Sequence, residues 1–157
     1  MMDWIFELIT NPFLITAIFA WLIAQVTKTI IYYILNKKIR LERLVGDGGM
    51  PSGHSATVCS LAALSLLMCG PGSYEFAIST LLAIIVCHDA MGVRREVGKQ
   101  AILTNEIIGI LEKLAKEEEL SEIELKEFVG HTPLQVVIGG CIGIASAVIA
   151  WLLWFRW

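Results

Sequence analysis

FLITAIFAWLIAQVTKTIIYYIL, the run from Phe13 to Leu35, is apolar for long enough to decide the fold class. About 20 residues at helical rise cross the hydrocarbon of a bilayer, and this run exceeds that length with Lys28 as its one charge. It reads as a transmembrane helix. The residues before it include Asp3 and Glu7 but no lysine or arginine, and no small-residue cleavage site follows, so it is not a secretory signal. The rest of the chain agrees: 56% of its 157 residues are hydrophobic and the mean hydropathy is +0.69, too apolar for an ordinary soluble domain. One integral membrane domain over residues 1–157 is expected. A net charge of −3 leaves no broad basic surface, which argues against nucleic acid as a partner.

Inside that first run Gln25, Lys28, Thr29 and Tyr32 recur at spacings of three and four and share one helical face. A lysine at this depth either faces protein or water, or snorkels to the interface. Outward from the run comes Asn36-Lys37-Lys38-Ile39-Arg40-Leu41-Glu42-Arg43, a basic loop that marks its side as cytoplasmic. Ser55 to Cys69 is a second apolar segment, short for a full span and closed by the turn Gly70-Pro71-Gly72-Ser73. Tyr74 to Val93 is a third, and it returns Arg94 and Arg95 to the same side. Residues 96–130 form a polar cytoplasmic insertion. In it Leu103, Ile107, Ile110, Leu111 and Leu114 give Ala101 to Ala115 the stripe of an amphipathic helix, at the surface or packed on the bundle. Lys116 to Leu120 reads as a solvated turn. Ser121 and Glu124 have the form of a capping box, opening a short helix that carries Lys126 and stops near Gly130.

Pro133 to Trp157 is the fourth span. Its Gly139, Gly140, Gly143, Ala145, Ser146 and Ala147 suit close helix packing, within the chain or in a homodimer. Trp151, Trp154 and Trp157 fit an aromatic belt at the far interface. Cys59, Cys69, Cys87 and Cys141 lie in apolar runs without CxxC spacing and read as buried, inert thiols. The fold class is therefore all-α: a polytopic helical bundle of about four transmembrane segments plus a cytoplasmic amphipathic helix.

The candidate chemistry gathers at the cytoplasmic end. Gly48-Gly49-Met50-Pro51-Ser52-Gly53-His54-Ser55 is a glycine-rich turn running into a helix, so it offers free backbone N–H groups and a positive dipole end to a phosphate. The chain has three histidines, His54, His88 and His131, and the topology brings each to this end. Singly, each reads as an interfacial residue capping a helix end. Together with Lys28, Arg43, Arg94, Arg95, Lys99 and Asp89 they outline a polyanion site. There a neutral imidazole can attack phosphorus, a protonated one can serve the leaving alkoxide, and cations can neutralise the equatorial oxygens. Asp89 next to His88, with Glu106 beyond, could hold a divalent cation, but their spacing matches no metal motif, and neither metal nor cofactor is expected.

These motifs carry a resemblance. Pro51-Ser52-Gly53-His54 is similar to the second signature of the type 2 phosphatidic acid phosphatases, and Gly130-His131-Thr132-Pro133-Leu134-Gln135-Val136 through Gly139 to the histidine-bearing part of the third. The order of these motifs around Asp89-Ala90-Met91-Gly92-Val93-Arg94-Arg95 resembles the divergent branch of that family, related to acid phosphatases and vanadium haloperoxidases. The resemblance runs from Asn11 to about Leu153. It implies a membrane phosphatase with His131 as nucleophile, His54 as general acid, and Ser52 and Gly53 among the phosphate-binding positions. The chain departs from the pattern in three places. Glu124 and Leu125 stand where the third signature has its Ser-Arg pair, and Gln135 replaces the aspartate that orients the nucleophile. Asn36 and Leu44 break the first signature. Arg94 and Arg95 are the expected substitute cations, with Asp89 pairing to a histidine.

Two readings follow. One is an enzyme that hydrolyses a lipid phosphate or pyrophosphate through a phosphohistidine, with its site at the cytoplasmic face of the membrane it inhabits, the plasma membrane in a bacterium. The other is a non-catalytic membrane protein that binds an anionic lipid head group or acts in transport or assembly. The expected partners are the lipid phosphate, membrane lipids and a possible second copy.

Overall fold

Asn11 and Pro12 start the first long helix. The Asn11 carboxamide accepts from the backbone N–H groups of Phe13 and Leu14, and Pro12 occupies a first-turn position that needs no donor. The computed structural model describes residues 2–37, 48–115 and 130–154, and every regular element among them is an α-helix. In order these are α1 (Met2–Ile9), α2 (Pro12–Asn36), α3 (Gly53–Cys69), α4 (Tyr74–Met91), α5 (Val93–Ala115) and α6 (Pro133–Trp154). Residues 38–47 of the basic loop, with Arg43, lie outside the described residues. So do the turn at Lys116 to Leu120 and the Ser121–Glu124 box with Leu125 and Lys126.

Three helical stretches, Asp3–Asn36, Tyr74–Leu111 and Pro133–Trp154, are long and apolar enough to cross a membrane. The second expected segment, α3, has 17 residues and is the shortest of the bundle helices. It is also the central one, packed against α2, α4 and α6. That position explains its composition, because Ser55, Ser60 and Ser65 are buried among neighbouring helices rather than in lipid. The hydroxyls of Ser55 and Ser60 turn back to the carbonyls of Ser52 and Thr57, which satisfies them locally.

Close approach of α3 and α6 holds the bundle together. Gly139 and Gly143 are four apart, and a Cβ on either would collide with α3, Gly139 against Ser52 and Ser55, Gly143 against the carbonyl of Ala56. This is small-residue packing within one protomer, with Ala147 continuing the row at zero exposure. Of the small residues that suit close packing, Gly139, Gly140, Gly143, Ser146 and Ala147 are buried inside the chain and Ala145 is exposed. Gly143→Leu is expected to destabilise the folded protein by about 1–3 kcal/mol or more, because the obstruction is backbone that cannot swing aside. Thermal unfolding in detergent checks this, against Ile144→Leu on the exposed side of the same turn.

Several boundaries differ from expectation. Residues 2–9 form α1, which exposes Trp4, Ile5, Phe6, Leu8 and Ile9. The amphipathic helix begins at Val93 rather than Ala101, directly after a break at Gly92 that ends α4. Its stripe of Leu103, Ile107, Ile110 and Leu111 is exposed, and its packing partner is α4. The thiols are free, but Cys69 and Cys141 sit on the outer surface of the bundle and only Cys59 and Cys87 are partly covered. Apolar runs do not distinguish the lipid-facing side of a helix from its core-facing side, since both are hydrophobic.

Candidate functional site

Antiparallel packing brings the end of α2, the start of α3, the end of α4 and the start of α6 to one end of the bundle. The glycine turn enters α3 through Ser52, whose hydroxyl accepts from Ser55 N–H at 3.4 Å as the N-cap. The Ser52 N–H donates to the Gln135 carbonyl at 3.0 Å, so the starts of α3 and α6 are tied to each other. Gly53 lies beneath Trp21, with room for a Cβ only 3.2 Å from the indole Cδ1. Gly49 takes φ +95°, a left-handed conformation open to glycine, and rests against the methylenes of Lys28.

His131 stands immediately before α6. Its N–H donates to the Ala90 carbonyl at 2.9 Å, and Gly130, at φ +87°, passes so close to the backbone of Arg94 and Arg95 that no side chain fits there. The side chain is buried, at 1% exposure. The His54 ring meets it edge-on, with centroids 5.8 Å apart and planes at 64°. Nδ1 of His131 is 3.4 Å from Gln135 Oε1, while Nε2 is buried without a hydrogen-bond partner among the described residues. Thr132 and Gln135 form a reciprocal capping box: Thr132 N–H donates to Gln135 Oε1 at 3.0 Å, and Gln135 N–H to Thr132 Oγ1 at 3.4 Å.

Lys28 is 4% exposed. It reaches into the bundle rather than snorkelling outward, and its charge is felt at His131. Burial above all, then the charges of Lys28 and His54, hold His131 below the ordinary imidazole value, while the Gln135 side chain and Gly49 backbone act in the opposite sense. The imidazole is therefore neutral at neutral pH, as a nucleophile requires.

Of the residues singled out in the sequence, the structure brings together His131, His54, Lys28, Ser52 and Gly53. Asp89 does not pair with a histidine: its carboxylate takes Arg94 Nε at 2.8 Å, because the break at Gly92 folds the first turn of α5 back over the last turn of α4. Arg95 contributes backbone against Gly130, and its side chain is exposed. His88 is exposed on the last turn of α4, outside the imidazole pair. Lys99 is exposed and engaged by Glu96 at 2.6 Å. In the sequence Gln25 shows only as a face-mate of Lys28, yet it is 5% exposed, lies beside Gly53 and has a buried Oε1 with no hydrogen-bond partner among the described residues. The Thr132–Gln135 box was readable from its Thr-x-x-Gln spacing. Among the described residues no group of three His, Cys, Asp or Glu is placed to hold a metal ion.

Comparison with known proteins agrees with the resemblance carried by these motifs. An uncharacterized membrane protein of Bacillus subtilis (strain 168), YuiD, is 36% identical over 151 residues, covering 91% of this chain and 96% of that protein. No solved structure matches. Residues 9–146, which carry both signature histidines and the helices that position them, match the Divergent PAP2 family, and this integral membrane protein belongs to it.

Proposed function

We propose that the protein is a membrane phosphatase that hydrolyses a phosphomonoester or pyrophosphate carried by a lipid, through a phosphohistidine on His131. The observation that carries this reading is the pair of imidazoles in edge contact, one buried and kept neutral, beside a buried lysine at the starts of two helices. Nε2 of His131 attacks phosphorus. As the N–P bond forms, the P–O bond to the lipid breaks and the leaving alkoxide takes a proton from protonated His54. Neutral His54 then accepts a proton from water, which attacks phosphorus, breaks the N–P bond and releases phosphate. Lys28 and the positive dipole end of α3 stabilise the charge on the transferring oxygens. Lys37 at the end of α2 and Arg94 and Arg95 at the start of α5 lie toward this end, which supports a cytoplasmic site.

One observation favours the binding-only alternative. Arg94, the expected substitute for the family's missing arginine, has its Nε engaged by Asp89. Detergent-purified protein assayed for phosphate release from phosphatidic acid and isoprenyl phosphates decides the matter. Turnover supports the enzyme, whereas saturable binding without release supports a head-group pocket.

The depressed His131 value also predicts how stability responds to pH. The unfolded chain takes up a proton near pH 6.5 while the folded chain resists it, so more protons are bound in the unfolded state below that pH. Stability contributed by His131 is fully present above about pH 6.5 and is lost as the pH falls from there toward the folded-state value. Thermal melts from pH 8 to 5 are expected to decline below about pH 6.5, and less so in His131→Asn.

A further inference from the structure

Gln25 is a buried polar group for which the hydrolysis described above has no use. It stands three residues before Lys28 on the same face of α2, at 5% exposure, and its Oε1 has no hydrogen-bond partner among the described residues. The neighbouring hydroxyls are committed elsewhere: Thr29 donates to the main-chain carbonyl of Gln25, Thr57 to that of Gly53 and Ser55 to that of Ser52. Burying a carboxamide oxygen without a donor costs stability, which points to a donor that arrives with a ligand. The place of that oxygen identifies the donor. The Gln25 amide carbon is 3.9 Å from the position a Gly53 Cβ would take, with the Trp21 indole nitrogen 3.4 Å from the same point. Gly53 is the first residue of α3 and adjoins His54, so the acceptor stands at the helix end whose dipole draws a phosphate oxygen.

An acceptor oxygen set beside an ionised phosphate oxygen is repelled by it, whereas beside a P–OH it takes a hydrogen bond. The bridging oxygen of a lipid phosphate is esterified and has no proton to offer. Resting on the phosphatase reading above, we infer that Gln25 is a specificity-determining residue that selects a P–OH: the site takes a phosphoryl group that retains one proton, as in a monoester monoanion or a protonated terminal pyrophosphate group, and refuses an ionised diester. The same bond orients the bound group. With its P–OH on Gln25, the two oxygens that share the negative charge are left to Lys28 and to the start of α3. The substrate class narrows accordingly, to a lipid whose phosphate is terminal rather than one whose phosphate bridges two alcohols.

Methylphosphonate and its monomethyl ester separate the hydrogen bond from the charge. At pH 6 each carries one negative charge, only the first has a P–OH, and its carbon–phosphorus bond keeps it from turnover. Calorimetric titration of the full-length protein in detergent is expected to give about tenfold or more tighter binding of methylphosphonate than of the ester. Gln25→Met, similar in volume and suited to an apolar helix, is expected to weaken methylphosphonate by about tenfold or more while leaving the ester within about twofold, so that the preference disappears. Gln25→Glu retains an acceptor and is expected to retain the preference, with both anions bound more weakly. Equal binding of the two probes by the wild type, binding of neither, a preference that persists in Gln25→Met or one that is lost in Gln25→Glu overturns the role of Gln25. Phosphate release from phosphatidic acid by the same preparations tests the other premise. No release with the probe preference intact overturns the phosphatase reading and leaves Gln25 as the selector of a binding pocket, whereas release without the preference overturns the role of Gln25 alone.

Discussion

On the proposed mechanism, His131→Ala is expected to abolish phosphate release from lipid phosphates, with kcat falling by about 10³-fold or more, because the atom that forms the covalent intermediate is removed. Among the described residues no second imidazole stands in its place. His54 is the second imidazole at the site, and its ring lies across from His131 rather than in its place. The protein should still fold, because what anchors this loop is the backbone bond to Ala90 and the close contact of Gly130 with α5, and neither involves the imidazole. His131→Asn, which retains a polar group in the buried space, controls for the gap left by alanine. Binding of inorganic phosphate, measured by calorimetry, should survive in both variants, since Lys28 and the start of α3 remain. Wild-type turnover in a purified variant would remove His131 from the mechanism.

Lys28→Met is expected to lower kcat/KM by about 10²- to 10³-fold, the usual loss when one preorganised charge at a phosphoryl site is removed. A surface lysine would not matter this much. At 4% exposure Lys28 acts where water does not screen it, against the same turn that presents the start of α3. The substitution should also leave a second, independent trace. Lys28 is one of the charges holding His131 below its ordinary value, so its removal moves the acid limb of the rate profile to higher pH. A rate loss without that displacement would place Lys28 in folding rather than in the site. Steady-state kinetics from pH 5 to 8 report both quantities.

The residues that made the fold legible are those whose environment is uniform along the whole element. The span expected from Phe13 to Leu35 is α2 to within a residue at each end, because Asn11, Pro12 and a long apolar run give the same answer. The starts of α3 and α6 were equally readable from Ser-Gly-His and His-Thr-Pro. Lys28 was not, since periodicity gives a face but not what lies opposite it, and a glycine turn can receive a lysine that lipid would expel. The pairing of Asp89 with Arg94 is not legible for a similar reason. Their pairing depends on a break at Gly92 whose geometry no propensity encodes. Gln135 looked like a lost aspartate, yet its place three residues after Thr132 was itself the signal that the side chain turns back toward the histidine.

The central helix bears on how such a protein is made. With 17 residues and three buried serines, α3 is poorly suited to hydrocarbon and well suited to the groove that Gly139 and Gly143 provide. Those glycines belong to α6, the last of the described helices to leave the ribosome. Until α6 arrives, the segment that begins with His54 lacks the surface that makes its polarity tolerable in the bilayer. The groove that receives α3 and the contact that brings His54 to His131 are thus supplied by the same late segment of the chain, and both are expected to form together.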